Sequence, residues 1–365
     1  MKKGEMRKVN MLNGIKESIC SLVLSGFAVV VNIAVPPTEA CTRILYETGT
    51  GTYITGRSMD WSDTTAAMDF WIFPQGMERN GGVGKGSITW NSRYGSVIIS
   101  IYDAATSDGV NEVGLVGNLL YLAETDYGDA ATRGKPTISV GAWLQYFLDN
   151  YATVAEAIQV MKTDPITIIS TNLPNGKPAD AHIALSDPTG DSAIFEYIDG
   201  DLRIHHGKEY TVMTNSPVYG QQLALNTYWS LIGGNNFLPG TISAADRFAR
   251  ASYALESSPK FKQRRDAIAS VFSQIRAISV PLGMSNPSKP NIASTLWRSV
   301  IEQNTKRYYF ESVINPSVMW VDLDKVNLDS GAKVMTLKLD IPENLSGDVV
   351  SAFKPSAPFK FITPN

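Results

Sequence analysis

Cysteine is nearly missing from this sequence: 365 residues hold two, Cys20 and Cys41. Histidine is almost as scarce, with His182, His205 and His206 the full set. Without a cysteine cluster or an H-E-x-x-H pattern, no metal centre is expected. The adjacent His205 and His206 fall on a strand-like run, where neighbours point to opposite faces and do not readily share one ion. Runs of lysine and arginine are lacking too, and the formal charge is −3. A mildly acidic surface gives nucleic acid no footing. Past Val35 no apolar run is long enough to cross a bilayer. Repeats, low-complexity tracts and an obvious linker are absent, so residues 41–365 read as a single domain. Gly81-Gly-Val-Gly84 lacks the strand–helix context of a phosphate loop and reads as a flexible surface turn. No cofactor is implied.

What is present begins with core-forming material: 44% of residues are hydrophobic and 18% charged, ordinary proportions for a globular chain. The first 40 residues stand apart. Lys2, Lys3, Arg7 and Lys8 open the chain with positive charge, and residues 19–35 are apolar and nearly uncharged. Pro36-Pro-Thr-Glu-Ala40 then ends on a small residue, with Thr38 two places earlier. This is the layout of a secretory signal peptide, residues 1–40, cleaved after Ala40. The competing reading is a transmembrane anchor, but the run sits at the short edge of a span and is interrupted by Ser25, Gly26 and Asn32. The mature product would be soluble, periplasmic or secreted, with no stable membrane association. Cleavage discards Cys20 and leaves one thiol, at the first mature position. Exported proteins ordinarily pair their cysteines, so a lone thiol at the cleavage point indicates reactivity rather than an incidental terminal cysteine.

Short β-like runs separated by Gly, Asp and Asn fill the first half, at residues 43–46, 70–73, 95–102 and 115–120. Trp143, Phe147 and Leu148 recur with helical period and predict a helix over 140–150. Thr153, with Glu156 three residues on, predicts a capped second helix. Strands return at 182–185, 193–197, 202–205 and 210–213. Helices are expected at 221–231, 244–255 and 265–275, and closing strands near 308–310, 318–321 and 334–337. Two batches of strands with helices between them imply layered α+β structure rather than alternating βαβ units. Periodicity does not fix the layer order.

A thiol is only a few per cent thiolate at neutral pH, because its free pKa is about 8.5. A chain-terminal cysteine carries its own candidate base, an α-amine whose pKa of about 7.7–8 leaves a fraction unprotonated at pH 7. That amine can take the thiol proton and return it to a leaving nitrogen. While Ala40 is attached, the same nitrogen is an amide and no base. The thiol also needs a fixed positive charge, a carboxylate to orient the amine, and donors for the developing oxyanion. A strand over 53–57 running antiparallel to 42–45 would bring Arg57 and Asp60 back beside Cys41. On spacing alone, that pair reads as a surface salt bridge at least as readily as a catalytic one.

Cys41-Thr-Arg43, followed by Gly56-Arg57-Ser-Met-Asp60-Trp61, resembles the opening of the choloylglycine hydrolase and penicillin V acylase family of N-terminal-nucleophile hydrolases. Further matches follow in order: Asp108-Gly-Val-Asn-Glu-Val-Gly-Leu115, Asp191-Ser-Ala-Ile-Phe-Glu196-Tyr197, Val212-Met-Thr-Asn215-Ser-Pro217 and Ala245-Asp-Arg247-Phe248. The resemblance spans residues 41–365. The signal segment and Trp71-Ile-Phe-Pro-Gln75 are similar to the Gram-negative branch. It implies a four-layer αββα sandwich, commonly assembled as a homotetramer. Carried over motif by motif, it makes Cys41 the nucleophile and its α-amine the base. Arg57 would contact the sulfur and lower its pKa, and Asp60 would hold the amine. Asn215 would donate its side-chain amide to the oxyanion, with the Tyr121 backbone N–H as second donor. Arg247 would organise the site electrostatically. Without the resemblance, Asn215 reads as a turn residue, Arg247 as a helix-surface charge and Tyr121 as core.

Members of the family hydrolyse the amide of N-acylated small molecules: penicillin V, glycine- or taurine-conjugated bile acids, and N-acyl homoserine lactones. The branch resemblance favours penicillin V. The acyl group calls for an apolar, aromatic pocket. Met59, Trp61, Phe70 and Trp71, nearest in sequence, are the candidates, each equally readable as core. Two other readings compete. Cys41 would be lipidated in a membrane-tethered acyl-ligand-binding protein, but Pro37-Thr-Glu-Ala40 lacks the leucine and small-residue pattern that modification requires. A non-catalytic relative is opposed by the retention of every matched polar residue.

Overall fold

Two β-sheets lie face to face in the computed structural model, which describes residues 41–233, 236–284, 293–315, 317–340 and 344–364. The predicted signal peptide, residues 1–40, lies outside them. Strands Val212–Thr214, Thr42–Glu47, Tyr53–Asp60, Thr295–Glu302, Arg307–Ser312, Met319–Asp322 and Gly347–Asp348 form, in that order, a seven-stranded sheet. The nine-stranded sheet runs from Asp201–His206 through Ser192–Ile198, Ala181–Ser186, Val116–Tyr121, Ala105–Asn111, Ser96–Ile101 and Phe70–Phe73 to Met335–Leu337 and Lys354–Pro355.

Period-two alternation decides what each face of the nine-stranded sheet buries. In Phe70–Phe73, Phe70 and Ile72 enter a core shared with Ile301, Tyr308 and Phe310 of the other sheet, while Trp71 and Phe73 enter a separate core under the helices. Ile99 and Ile98, Ala184 and Ile183, and Ile194 and Phe195 divide the same way. Helices Val140–Asn150 and Val154–Met161 cover that second core, burying Trp143, Leu144, Phe147, Leu148 and Ile158. Helices Ala244–Ser257 and Arg264–Ile278 pack on the seven-stranded sheet. The layer order is therefore helix, sheet, sheet, helix, the αββα sandwich. Glycine permits the close approach on both outer faces. A Cβ on Gly56 would lie 2.6 Å from Val271, and one on Gly117 would lie 2.3 Å from Leu144.

The strand Phe70–Phe73 and the helix Val140–Asn150 have the bounds that sequence predicts. Thr153 Oγ1 accepts the Glu156 N–H at 3.2 Å, and the Glu156 carboxylate reaches back to the Ala152 N–H at 2.8 Å, one residue before the cap. The strand expected over 53–57 continues to Asp60, and that expected over 210–213 is displaced to Val212–Thr214. Two of the longer strands have no counterpart in the sequence reading: Ala105–Asn111 and Thr295–Glu302. Both carry polar residues where an apolar pattern would mark a strand, and most of those residues are buried and paired. Asp108 accepts from Ser299 at 2.6 Å, Tyr308 at 2.7 Å and Asn118 at 2.5 Å. Among the described residues no helix is long and apolar enough to cross a membrane.

Candidate active site

Neighbouring strands converge on Cys41. Thr42 pairs with Thr214 on one side and Ser58 on the other, so one step along the ladder Asn215 and Met59 flank Cys41. Beyond Met59, Thr295 pairs with Asp60. Alternation turns Cys41, Arg57 and Met59 towards the other sheet, and Thr42, Ser58 and Asp60 towards the helices. Arg57 and Asp60 therefore do not form the salt bridge that spacing alone allows.

The Cys41 side chain is 1% exposed. Its Sγ lies 3.6 Å from Met59 Sδ and 3.8 Å from the Asp60 carbonyl oxygen. Burial pushes the thiol pKa up, the Arg57 charge pulls it down, the Asp60 carboxylate pushes it up again, and the net direction is upward. Left to this environment the sulfur stays protonated at neutral pH, so attack requires a base.

Arg57 crosses to the nine-stranded sheet at the point where two of its strands part. The ladder between Ala105–Asn111 and Val116–Tyr121 ends at the pair Asp108 and Asn118. In the opening, Arg57 Nη1 donates to the Ser107 carbonyl and Nη2 to the Leu119 carbonyl at 2.8 Å. Nη2 also lies 3.3 Å from Met59 Sδ, and the guanidinium sits 5.1 Å from the Trp297 ring centre. Carbonyl acceptors and a π-face hold the charge, and among the described residues no carboxylate is in direct contact to cancel it.

Asp60 is fully buried. One carboxylate oxygen accepts the Thr295 hydroxyl; the other faces Arg247 Nη1 at 3.3 Å and Ser58 Oγ at 3.4 Å. Burial pushes its pKa up to about 6, with Arg247, Thr295 and Ser58 pulling against that rise. Arg247 sits on Ala244–Ser257, but on its inner face and without solvent exposure, which removes the helix-surface reading. Its Nη1 also donates to the Cys41 carbonyl at 3.1 Å and to Thr42 Oγ1. One guanidinium thus ties the first two residues of the described chain to Asp60.

Asn215 Nδ2 donates to the Tyr121 carbonyl at 2.6 Å. The acceptor fixes which end of the amide is nitrogen, and a second N–H remains on that atom. Gln222 holds the turn from behind, donating to the Asn215 carbonyl and to the Pro217 carbonyl at 2.5 Å, across a cis Ser216–Pro217 bond. The Leu122 N–H bonds to the Asp180 carbonyl. By alternation, the Tyr121 N–H and C=O therefore turn to the opposite edge, the one occupied by Arg57 and Asn215.

A cavity of about 530 Å³, its open mouth included, begins at Cys41 and is walled by Met59, Trp61, Leu120, Tyr121, Leu173 and Ile362 among others. Trp61 is fixed by its Nε1–H bond to the Tyr102 hydroxyl at 2.9 Å and packs edge-on against Tyr121 at 6.3 Å. Of the four candidate pocket residues, Met59 and Trp61 line this cavity. Phe70 and Trp71 do not. Their strand is separated from Val116–Tyr121 by two others. Phe70 is enclosed by Tyr308 and Phe310 at 5.1 and 5.3 Å, and Trp71 stacks on Phe73 at 5.9 Å under the helices. Nearness in sequence does not carry across three strands. Sequence reading missed Thr295, Gln222, Ile362 and the carbonyls of Ser107 and Leu119. Backbone acceptors leave no side-chain signature, and Thr295 opens an unrecognised strand.

His206 Nε2 bonds to Asp191 at 2.9 Å, whereas His205 Nε2 lies 3.8 Å from Glu196, so the two rings turn apart. Among the described residues no group of three or more His, Cys, Asp or Glu is placed to hold a metal ion.

The model of the choloylglycine hydrolase family of linear amide C–N hydrolases matches residues 41–336. The chain belongs to this family. Among its choloylglycine hydrolase relatives, penicillin V acylase of Pectobacterium atrosepticum is 45% identical over 372 aligned positions, covering 95% of this chain and 97% of that protein. The solved structure of penicillin V acylase from Agrobacterium tumefaciens is 47% identical and superposes with a TM-score of 0.82, covering 88% of this chain and all (100%) of that one. A variant of conjugated bile acid hydrolase from Clostridium perfringens, 22% identical with a TM-score of 0.69 over 82% of this chain and 97% of its own, shares the fold. The protein is accordingly a hydrolase of linear amide C–N bonds in an αββα Ntn-hydrolase sandwich, and residues 337–365 lie beyond the family's matched stretch.

Proposed function

We propose that this choloylglycine-family hydrolase is exported, that cleavage after Ala40 frees the Cys41 α-amine, and that it deacylates N-acyl small molecules through a thioester, with penicillin V acylase-type specificity. The observation that carries this reading is a buried thiol at the base of an apolar cavity, with Arg57 and Met59 beside it and Asn215 across the ladder. The freed amine takes the Sγ proton, which a thiol raised by burial does not release unaided. The sulfur then adds to the substrate carbonyl. The developing oxyanion receives the second Asn215 N–H and the Tyr121 N–H, and Arg57 stabilises the sulfur's charge. Return of the proton to the nitrogen expels the amine and leaves a thioester. Water, activated by the same α-amine, hydrolyses it. Asp60, held by Arg247 and Thr295, fixes the amine in the required orientation.

Burial opposes the lipidated alternative, because a Cys41 carrying a lipid thioether would have to leave its seat beside Met59 and Asp60. The penicillin V preference over conjugated bile acids and N-acyl homoserine lactones is supported by the 45% identical relative. For assembly we propose the homotetramer that the resemblance implies. It is supported by the apolar side chains exposed along Tyr219–Ile232, among them Leu225, Tyr228 and Leu231. The test joins two measurements on protein recovered from an exporting host. Intact mass should place Cys41 first, with no added acyl group, and kcat/KM should be greatest for penicillin V. Working enzyme with Ala40 still attached would end the mechanism; faster turnover of conjugated bile acids would reverse the specificity.

A further inference from the structure

The last described residues return to the catalytic cavity. Phe359 packs against Trp71 and Phe73 at 5.3 and 5.7 Å between ring centres, and Phe361 packs on Phe359 at 5.5 Å. Two backbone bonds then fix Ile362. Its N–H donates to the Ala104 carbonyl at 2.7 Å, and its carbonyl accepts the hydroxyl of Ser139, the cap of helix Val140–Asn150. The side chain lines the cavity of Cys41 and sits against Gly141, where an added Cβ would lie 2.9 Å from Ile362 Cγ2 and 2.7 Å from the Ala104 carbonyl. Gly141 is thus the residue whose smallness admits the strap. Among the described residues that line the cavity, Ile362 alone lies beyond the stretch that the family model matches.

We propose that Ile362 is a specificity-determining residue: the C-terminal strap supplies a wall of the acyl cavity and limits the length of acyl chain that Cys41 accepts. This rests on the reading that the cavity at Cys41 receives the acyl group. The remaining walls belong largely to strands locked in hydrogen-bonded ladders and to residues that also hold Arg57 or Asn215. The backbone bonds of Ile362 run to Ala104 and Ser139 rather than to the thiol's partners or the oxyanion donors, so its size sets acyl length independently of chemistry. Shortening it to alanine removes three carbons and frees room for about that many substrate methylenes, each contributing roughly fourfold in binding when buried.

The test reads the cavity with and without hydrolysis. Mature wild type, Ile362→Ala, Ile362→Val, Ile362→Trp and Lys360→Ala are treated with N-alkyl iodoacetamides from ethyl to dodecyl, and the rate of Cys41 alkylation is followed by intact mass. The variants are also assayed on straight-chain N-acyl derivatives of 6-aminopenicillanic acid of matching length. In wild type the rates should rise with chain length and then fall. Ile362→Ala should shift the optimum by about two methylenes or more, with about a tenfold gain for the longer chains. Ile362→Val should shift it less in the same direction, and Ile362→Trp towards shorter chains. Lys360→Ala, an exposed side chain on the same strap, should leave it unchanged. A common profile in wild type, Ile362→Ala and Ile362→Val overturns the proposal, as does a wild type indifferent to chain length or an equal shift in Lys360→Ala. Shifted alkylation without hydrolysis of any of these acyl substrates keeps the wall and removes the penicillin V acylase-type reading. Hydrolysis with unshifted profiles does the reverse.

Discussion

Cys41 and Asp60 share a problem that burial creates and neighbours answer. The thiol is driven towards its neutral form by loss of water, and Arg57 offsets only part of that rise. Replacing sulfur by oxygen removes what acidity the group retains, so Cys41→Ser should lose at least about a thousandfold in kcat/KM, with an unchanged circular dichroism spectrum. Retained activity would remove the sulfur from the mechanism. Asp60 is ionised above its pKa of about 6 and protonated below it. Only the ionised form both pairs with Arg247 and attracts the ammonium that forms at the terminus during attack. Below the amine's own titration at about 7.7–8, activity should therefore fall more steeply as pH drops through about 6, an added step that Asp60→Asn should abolish while lowering the plateau. A pH profile of kcat/KM for both proteins checks this. The choice of Arg57 and Asp60 was legible in their motif. Their separation to opposite faces of one strand was not legible, because it depends on register.

The elements differ in how directly they serve the site. Tyr53–Asp60 lies under helix Arg264–Ile278 at Gly56, where an added methyl meets Val271 and Ile275. Gly56→Ala should cost about 1–3 kcal/mol by overpacking. In a domain of this size that is roughly 1–2 °C of Tm for each kcal/mol, measurable by calorimetry. It should also lower kcat, since the same strand carries Arg57, Met59 and Asp60. Thr153→Ala is the contrast. It removes the acceptor for the Glu156 N–H and costs about 1 kcal/mol, yet the helix it caps faces away from Cys41, so kcat/KM should hold. The strands that sequence missed, Ala105–Asn111 and Thr295–Glu302, supply the Arg57 opening and the Asp60 hydroxyl partner. Their buried Asp108, Ser299 and Thr295 are satisfied by partners distant in the chain, and no local pattern announces such pairing.

At the scale of the whole molecule, the helix Tyr219–Ile232 stands out. Few of its residues are buried, and Leu231 is 82% exposed. If this face joins copies of the chain, Leu231→Glu should dissociate the assembly to smaller species by sedimentation while the monomer's secondary structure persists. An unchanged tetramer would place the interface elsewhere. Activity per site should be largely kept, because Cys41, Arg57 and Asp60 all come from one chain.

The sequence by itself determined the chemistry on offer: one thiol among residues 41–365, an arginine and a carboxylate within a short run, and apolar periods that specify layered sheets and helices. These are local quantities, set by residue type and spacing. Only the tertiary structure decided which groups meet. Register set Asn215 opposite Cys41, the packing of helix Ala244–Ser257 on its sheet turned Arg247 inward, and the parting of two strands made room for Arg57. The chain's far end brought Ile362 into the cavity while Phe70 and Trp71, much nearer in sequence, were carried away. The physical reason is that cross-strand pairing and inter-sheet packing act between residues hundreds of positions apart, where chain spacing holds no information about distance.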